Sequence, residues 1–483
     1  MGSAMRAAST ISTASVASSM NEGAYSGATP EASLRWAHMR NRLLGKENGQ
    51  ASLSIWAFRF LLWYICVMLV QPQNRYTFLW PLHIADLTFI GALILHGLNC
   101  VRDRRPFIAL NGATVFGLIL IGLTFASNTF GVFQDGWGGW NPIIDTYVKN
   151  CLLLIMVSTF CTSVERVWAL QMTVLFCTLW WVKSGIRLAA AGATLSGDRL
   201  MGAAIGLIEN PNSFAYMMCI MIPLYLYGFQ HALRKWQKLA FLACALASVY
   251  IVFQTGSRTG LVTLIVLGTY LLRHYGRGHW KTIGIAVIAI VLLFPLTGEK
   301  NLRRFKTIPH SAIAFLGLSR DEDRLDYGRP LNQDEQSADE RSSKNRDTWH
   351  LVKAYPLFGV GLVPQARRLL DEGFGMAGIG QVHCEILMVG KQMGMLGISL
   401  YVMALAMSWW NGRKAIKWGQ QHGWSAIGNM GQIFQAQAIA IAVGGFFCPA
   451  PWHPPMMIML GSSVALVNAM SSVPAPRSPA PLS

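Results

Sequence analysis

Residues 239–273 have the sequence LAFLACALASVYIVFQTGSRTGLVTLIVLGTYLLR, in which two apolar runs flank the polar stretch QTGSRTG at 254–260. With its flanking residues, each run approaches the length of about 17–25 residues that a helix needs to cross the hydrocarbon core of a bilayer. Gly256 and Gly260 permit a tight turn between the runs. The pattern predicts a helical hairpin across a membrane, and similar apolar runs recur along the chain.

The composition of the 483-residue chain is also typical of a membrane protein. Hydrophobic residues make up 53% and charged residues 13%, whereas about 25% of a soluble domain is charged. The sequence predicts an all-α polytopic membrane protein with about 12 spans, or with 10 or 14 if one hairpin is counted wrongly. The predicted spans lie near residues 55–70, 84–100, 111–130, 144–162, 167–187, 213–229, 239–256, 259–273, 282–297, 383–409, 427–447 and 454–471.

The net charge of +17 suggests nucleic-acid binding at first, but the basic residues are dispersed over short loops between the spans. They concentrate at 102–105, 234–238, 273–281 and 413–417. When the spans are threaded in order, these loops all fall on one side, as the positive-inside rule requires. We therefore expect both termini in the cytoplasm and no nucleic-acid partner.

The spans divide the chain into five predicted regions. Residues 1–50 form a disordered cytoplasmic tail, 51–297 contain spans one to nine, 298–382 form a long periplasmic loop, 383–471 contain spans ten to twelve, and 472–483 form a disordered tail. A polar loop of this length between short connections is usually functional or disordered.

The nine cysteines lie mostly inside apolar runs, and no two of them form a CxxC pair. This pattern predicts neither a disulfide framework nor a zinc site. Cys384 and Cys448 are expected near the same outer face, and the sequence leaves their pairing open.

Two arginines on the predicted outer side are candidates for binding an anion. Arg258 lies in the turn QTGSRTG, where Ser257 and Thr259 offer hydroxyl groups and the next helix offers free N–H groups. Arg199 precedes the Asn210–Pro211–Asn212 run that opens an apolar helix. Either asparagine can cap that helix without excluding a role for Arg199.

The long outer loop and the fifth span supply four further candidates. Arg346 precedes PLFGVG at 356–361, where glycines allow a sharp turn and close backbone approach. His383 lies where the loop enters the next span. Lys183 and Arg187 share a helix face at i, i+4 spacing, where like charges repel unless an anion lies between them, so they are also candidates for phosphate contacts.

Arginines combined with a single histidine, and without a cluster of metal-ligand residues, suit one type of chemistry. The guanidinium fork binds phosphate or diphosphate, and an imidazole accepts a proton near neutral pH.

Four stretches of the chain together resemble the O-antigen ligase/polymerase family of bacterial envelope glycosyltransferases. The resemblance is close over roughly residues 195–410, and it depends on the order of the stretches more than on any one of them. The stretches are NPNSFAYMMCIMIPL at 210–224, TGSRTGLVTLIV at 255–266, RDTWHLVKAYPLFGVG at 346–361 and HCEILMVGKQMGMLGISLY at 383–401.

The resemblance implies a GT-C-like enzyme of the bacterial inner membrane with its active site facing the periplasm. The implied donor is an undecaprenyl-diphosphate-linked glycan, and the implied acceptor is a hydroxyl of lipid A-core or of a growing polysaccharide. Mapped onto this sequence, Arg258 and Arg346 hold the diphosphate, Arg199 assists them, and His383 is the general base. Because diphosphate is a good leaving group, the implied reaction needs no nucleotide or metal, and we expect no cofactor. Displacement at the anomeric carbon without a protein nucleophile would invert its configuration.

Two positions depart from the family pattern. Cys384 stands where the family usually has asparagine after the histidine, and Lys391-Gln392-Met393-Gly394 replaces the usual Glu-Gly-Leu.

Other functions fit part of the same pattern. A polysaccharide polymerase and a protein O-oligosaccharyltransferase share the donor and much of the fold with the ligase. A secondary transporter also has about 12 spans, but we see no repeat between the two halves of the chain, and the candidate residues gather at the outer rim rather than at the midplane.

Overall fold

The structure is a computed structural model that describes residues 53–133, 139–192, 194–195, 199–202, 208–275, 301, 305, 333–373, 382–448 and 450–473. Helices dominate these residues. In chain order the longer helices are α1 Leu53–Val70, α2 Ile84–Asp103, α3 Gly112–Phe130, α4 Pro142–Phe160, α5 Val164–Ala190, α6 Pro211–His231, α7 Lys235–Gln254, α8 Arg258–Tyr275, α9 Gln333–Ala354, α10 Ala366–Asp371, α11 Glu385–Gln421, α12 Ser425–Gly445 and α13 Pro454–Met470.

Three smaller elements lie in the connections. A helical turn at Pro72–Arg75 and a 3₁₀ turn at Thr77–Leu82 join α1 to α2. Between α5 and α6, β1 Thr194–Leu195 pairs in antiparallel register with β2 Arg199–Leu200.

The prediction of an all-α membrane protein is confirmed. Among the described residues, seven helical stretches are long and apolar enough to cross a membrane. Ten of the twelve predicted spans coincide with helices to within a few residues. The helix at the span predicted over 383–409 continues to Gln421, and the span predicted at 282–297 lies outside the described residues. The predicted tail 1–50 lies outside the described residues, and so does all but the start of the predicted tail 472–483. Within the predicted loop 298–382, residues 333–373 are described and form α9 and α10.

Asparagine side chains fix where several helices begin. Asn111 accepts hydrogen bonds from the N–H groups of the first turn of α3, and Asn141 does the same for α4. Asn210 caps α6 by accepting from Asn212 N at 2.8 Å. In α4 and α6 a proline follows the cap, where its missing N–H costs nothing because the first turn has no intrahelical acceptor for it.

Helix α6 forms the centre of the bundle and is buried on nearly all sides. It packs against α7, α8 and α12, while α13 packs between α4 and α11. A helix whose whole circumference is apolar is expected inside a bundle rather than at its surface.

The starts of α6, α8, α11 and α13 meet at one end of the bundle, which we call the site end. Asn212, in the first turn of α6, accepts a hydrogen bond from Ser257, which precedes α8. Tyr216, one turn further along α6, contacts Glu385 at the start of α11 and His453 at the start of α13. Threading the charges had assigned these helix ends to one side, the predicted outer side.

Helix α11 is interrupted at Gly394, which has φ 65° and ψ −162°. The segment PLFGVG at 356–361 packs into this interruption with its backbone. Pro356 O accepts from Met395 N at 2.6 Å, and Val360 N donates to Lys391 O at 2.8 Å. The sharp turn predicted for this segment is present, because Gly359 has φ 67° and Gly361 φ 100°. The span predicted over 383–409 is therefore a bent helix that begins at Glu385.

We expect Gly359→Ala to destabilise the protein more than Gly192→Ala does. Both glycines have positive φ (67° and 62°), but a Cβ on Gly359 would overlap the Lys391 carbonyl oxygen, whereas one on Gly192 meets nothing within 4 Å. Gly192→Ala should cost about 1–2 kcal/mol of backbone strain, and Gly359→Ala a further 1–3 kcal/mol or so for the overlap. Melting temperatures of the detergent-purified variants measure the difference, and equal values would contradict the packing described for PLFGVG.

Candidate functional site

Arg199 is held at the site end by two hydrogen bonds that use its planar guanidinium. Its Nη2 donates to Asn212 Oδ1 at 2.7 Å, and its Nε donates to the Thr255 carbonyl oxygen at 3.1 Å. The hairpin β1–β2 brings Arg199 to this position from the α5–α6 connection. Asn212 is thus an anchor for the arginine, and Asn210 alone caps α6.

Arg258 begins α8 directly beyond the turn that Arg199 contacts. Ser257, which is fully buried, caps α8 by accepting from Gly260 N at 3.2 Å and donates to Asn212 Oδ1 at 3.0 Å. One carboxamide oxygen therefore accepts from both Arg199 and Ser257. This shared acceptor holds the two arginine-bearing segments together, with Arg258 half-buried at the start of its helix.

His383 lies two residues before α11 and is half-buried. Burial lowers the pKa of its imidazole, and the positive charges of Arg341 and Lys344 lower it further, to about 4. The ring is therefore neutral at physiological pH and able to accept a proton.

The two cations reach His383 because α9 runs alongside the start of α11 in the same direction. Val352 of α9 faces Gly390 of α11, where a Cβ would come within 2.9 Å of the valine side chain. Lys344 precedes Val352 by eight residues, and His383 precedes Gly390 by seven. A parallel course therefore brings Lys344 to the level of His383, with Arg341 one turn beyond.

A buried polar cluster joins α6, α11 and α13 beneath these residues. The fully buried carboxylate of Glu385 accepts hydrogen bonds at Oε2 from Tyr401 and, at 3.3 Å, from Tyr216. Tyr216 also contacts His453 Nε2 at 3.2 Å. Trp452 packs edge-on against Tyr401, with 5.6 Å between ring centroids.

The hydrogen bonds of this cluster have a defined direction. His453 Nδ1 accepts from the backbone N–H of Met456 at 3.2 Å, which caps α13. In the neutral imidazole the proton then resides on Nε2. His453 therefore donates to the Tyr216 hydroxyl, and Tyr216 in turn donates to Glu385.

The cluster connects the arginine side of the site to the histidine side. Tyr216 lies one turn after Asn212 on α6, and Glu385 lies two residues after His383. A continuous path of side chains and two short backbone segments thus runs from Arg199 to His383. Sequence reasoning had assigned these two residues to separate loops.

Three other predicted residues lie elsewhere. Arg346 is exposed on α9, on the opposite side from the buried Thr348, and Lys183 and Arg187 are exposed on α5. Among the contacts of the described residues, none joins these three to the cluster, and their assignment as substrate contacts stays a prediction. Cys384 and Cys448, whose pairing was left open, are both buried free thiols.

Sequence reasoning missed several residues of the site. Arg341 and Lys344 lie in the polar loop predicted over 298–382, although they continue a helical stripe whose spacing is readable in the sequence, namely 341, 344, 348, 351 and 352. The partners of Glu385 had no such signal, because an isolated glutamate, two tyrosines and a histidine lie at unrelated positions in the chain.

We expect Glu385→Leu to lower the melting temperature of the protein much more than Glu385→Gln does. The leucine leaves two buried tyrosine hydroxyls without an acceptor, at a cost of about 1–3 kcal/mol each. The glutamine keeps a carbonyl oxygen for both. Thermal unfolding of the two purified variants tests this, and similar losses would show that the hydroxyls find other acceptors.

Residues 242–402 match the protein family described as O-Antigen ligase. The matched segment includes Arg258, the α9–PLFGVG unit, His383 and the interruption at Gly394. No curated protein has a significant match to the sequence. Members of this family are membrane enzymes of the ligase or polymerase type that transfer glycosyl groups in the bacterial inner membrane. The match supports the O-antigen ligase family for this segment of the chain, residues 242–402.

Proposed function

We propose that this protein transfers a glycan from an undecaprenyl-diphosphate carrier to an acceptor hydroxyl on the periplasmic face of the inner membrane. The acceptor class is lipid A-core, or a growing polysaccharide if the enzyme is a polymerase. The observation that carries the proposal is the connected path from Arg199, beside Arg258, to a neutral His383.

The arginine side of the path suits the departing diphosphate. Negative charge builds up on the bridging oxygen as the glycosidic bond breaks, and fixed positive charge nearby stabilises that transition state. Arg199 is pre-oriented by Asn212 and by the Thr255 carbonyl oxygen. Arg258, half-buried at a helix start, adds a second guanidinium.

The histidine side suits the acceptor. A neutral imidazole within about 3 Å of the acceptor hydroxyl removes its proton as the oxygen attacks the anomeric carbon. The oxygen–carbon bond forms while the bond to the diphosphate breaks, and the anomeric configuration inverts. No metal or nucleotide takes part in this scheme.

We expect His383→Ala and Arg258→Ala to abolish transfer while leaving membrane expression intact. General-base removal typically costs about 10²–10⁴-fold in rate, and Arg258→Lys should recover little because the fork is lost. A transfer assay with purified protein and lipid-linked donor measures this. His274→Ala and Arg273→Ala, exposed at the other end of α8, are the matched controls and should stay active. Full activity of His383→Ala or Arg258→Ala would remove that residue from the scheme.

Deletion of the gene distinguishes the reactions that the family contains. Loss of long glycan from lipid A-core supports the ligase, glycan reduced to a single repeat supports the polymerase, and loss of sugar from secreted protein supports a protein O-oligosaccharyltransferase. An unchanged set of surface glycans would contradict the proposal as a whole.

The acid limb of the pH–rate profile should lie near pH 4 and move to higher pH in Lys344→Gln. His383 must be neutral to act as a base, so activity is present above its pKa and falls as pH drops through it. Removing a nearby cation stabilises the protonated ring and raises the pKa from about 4 towards its ordinary value.

Lys353→Gln is the control for this shift, because Lys353 is an exposed lysine of the same helix that does not act on His383. Melting temperatures across the same pH range separate loss of catalysis from loss of fold. An acid limb that stays in place in Lys344→Gln would rule out His383 as the titrating base.

A further inference from the structure

Along the exposed side of α5, the side chains change from apolar to basic as the helix approaches the site end. Phe176, Trp180, Lys183 and Arg187 are spaced by four, three and four residues, so they share one helix face. Phe176 is 59% exposed, and Lys183 and Arg187 are also exposed. The order from apolar to aromatic to basic is the one found where a helix passes from hydrocarbon into the headgroup layer.

Trp180 receives a second cation from a different part of the chain. The guanidinium carbon of Arg75 lies 4.8 Å from the centroid of the Trp180 ring, and Lys183 Nζ lies 5.5 Å from it. Both distances are within cation–π range. The indole therefore holds Arg75, from the α1–α2 connection, beside Lys183 of α5.

The charges around Trp180 have no acidic partner in the part of the chain that the structure describes. Among the described residues, no carboxylate lies within 4.0 Å of Arg75, Lys183 or Arg187. The acidic residues Asp86 and Asp145 are instead paired with Lys149, at 3.7 and 3.0 Å. Three cations on one surface without a protein counter-ion attract an external anion.

The connection that carries Arg75 is suited to the membrane boundary. Tyr76, Phe78 and Trp80 are 50%, 71% and 62% exposed. Aromatic side chains of this kind partition into the interface between hydrocarbon and water. The cations beside them therefore lie at the depth of lipid phosphate groups.

We propose that Arg75 and Lys183 beside Trp180, together with Arg187 one turn beyond Lys183 on α5, bind the phosphate of an anionic phospholipid. The site lies on the exposed flank of the bundle, whereas Arg199 and Arg258 are half-buried among helices. It does not depend on the transferase reaction and gives Lys183 and Arg187 a role outside the reacting centre.

Native mass spectrometry of the full-length protein in detergent tests the proposal, with dioctanoyl phosphatidylglycerol as the probe. The triple variant Arg75→Gln/Lys183→Gln/Arg187→Gln should lose about tenfold or more in binding of the first lipid, since each cation near an anionic lipid contributes separately. The matched control is Arg413→Gln/Lys414→Gln/Lys417→Gln, which removes the same charge from exposed residues near the C-terminal end of α11, far from the site end. It should keep most of the binding, and dioctanoyl phosphatidylcholine should bind both triple variants and the unaltered protein equally weakly.

Two results would overturn the assignment. Equal losses in the two triple variants would mean that net charge alone attracts the lipid. Preferential binding of farnesyl diphosphate over phosphatidylglycerol at these three residues would assign the site to a polyprenyl diphosphate. Size-exclusion profiles verify folding, and if the triple variant fails to fold, the single variants Lys183→Gln and Arg187→Gln, both at exposed positions, provide the same comparison.

Discussion

Main-chain groups inside a membrane bundle must find partners within the protein, since hydrocarbon offers none. The interruption of α11 at Gly394 leaves N–H and C=O groups of that helix without partners in the helix itself. The backbone of PLFGVG supplies hydrogen-bond partners for two of them. Val360 N donates to the Lys391 carbonyl oxygen, and Pro356 O accepts from Met395 N. Ser127 of α3 donates to the Gln392 carbonyl oxygen. Because the segment is held on both sides, the end of α9 that leads into it is also fixed in position beside α11.

Beneath the site, two side-chain oxygens each accept hydrogen bonds from two different segments of the chain. One oxygen of Glu385 is shared by tyrosines from α6 and α11, and one oxygen of Asn212 is shared by Arg199 and Ser257. Each shared acceptor joins segments that are far apart in the chain. The arginines and the histidine thus depend on two buried polar junctions, and substitutions at those junctions should affect residues that they do not touch.

Much of the fold could be predicted because membrane spans obey a strong local constraint. Apolar length predicted the helices, and charge in the loops predicted which ends meet. The role of Asn212 could not be predicted from the sequence. From sequence it was one of two equivalent caps, and only the tertiary approach of Arg199 and Ser257 gives it a different role. Lys344 was missed for a related reason, because its polar surroundings suggested a loop, while packing of α9 on α11 brings it to His383.

The directed hydrogen bonds of the Glu385 cluster have a consequence for the path of the catalytic proton. A proton wire works only if its members can reverse their donor and acceptor roles together. Here His453 Nδ1 accepts from the Met456 backbone N–H, so the reversed arrangement, with the proton on Nδ1, would remove this side-chain cap from α13. The cluster therefore joins α6, α11 and α13 through one fixed set of donors and acceptors, and it is poorly suited to carrying a proton through the bundle.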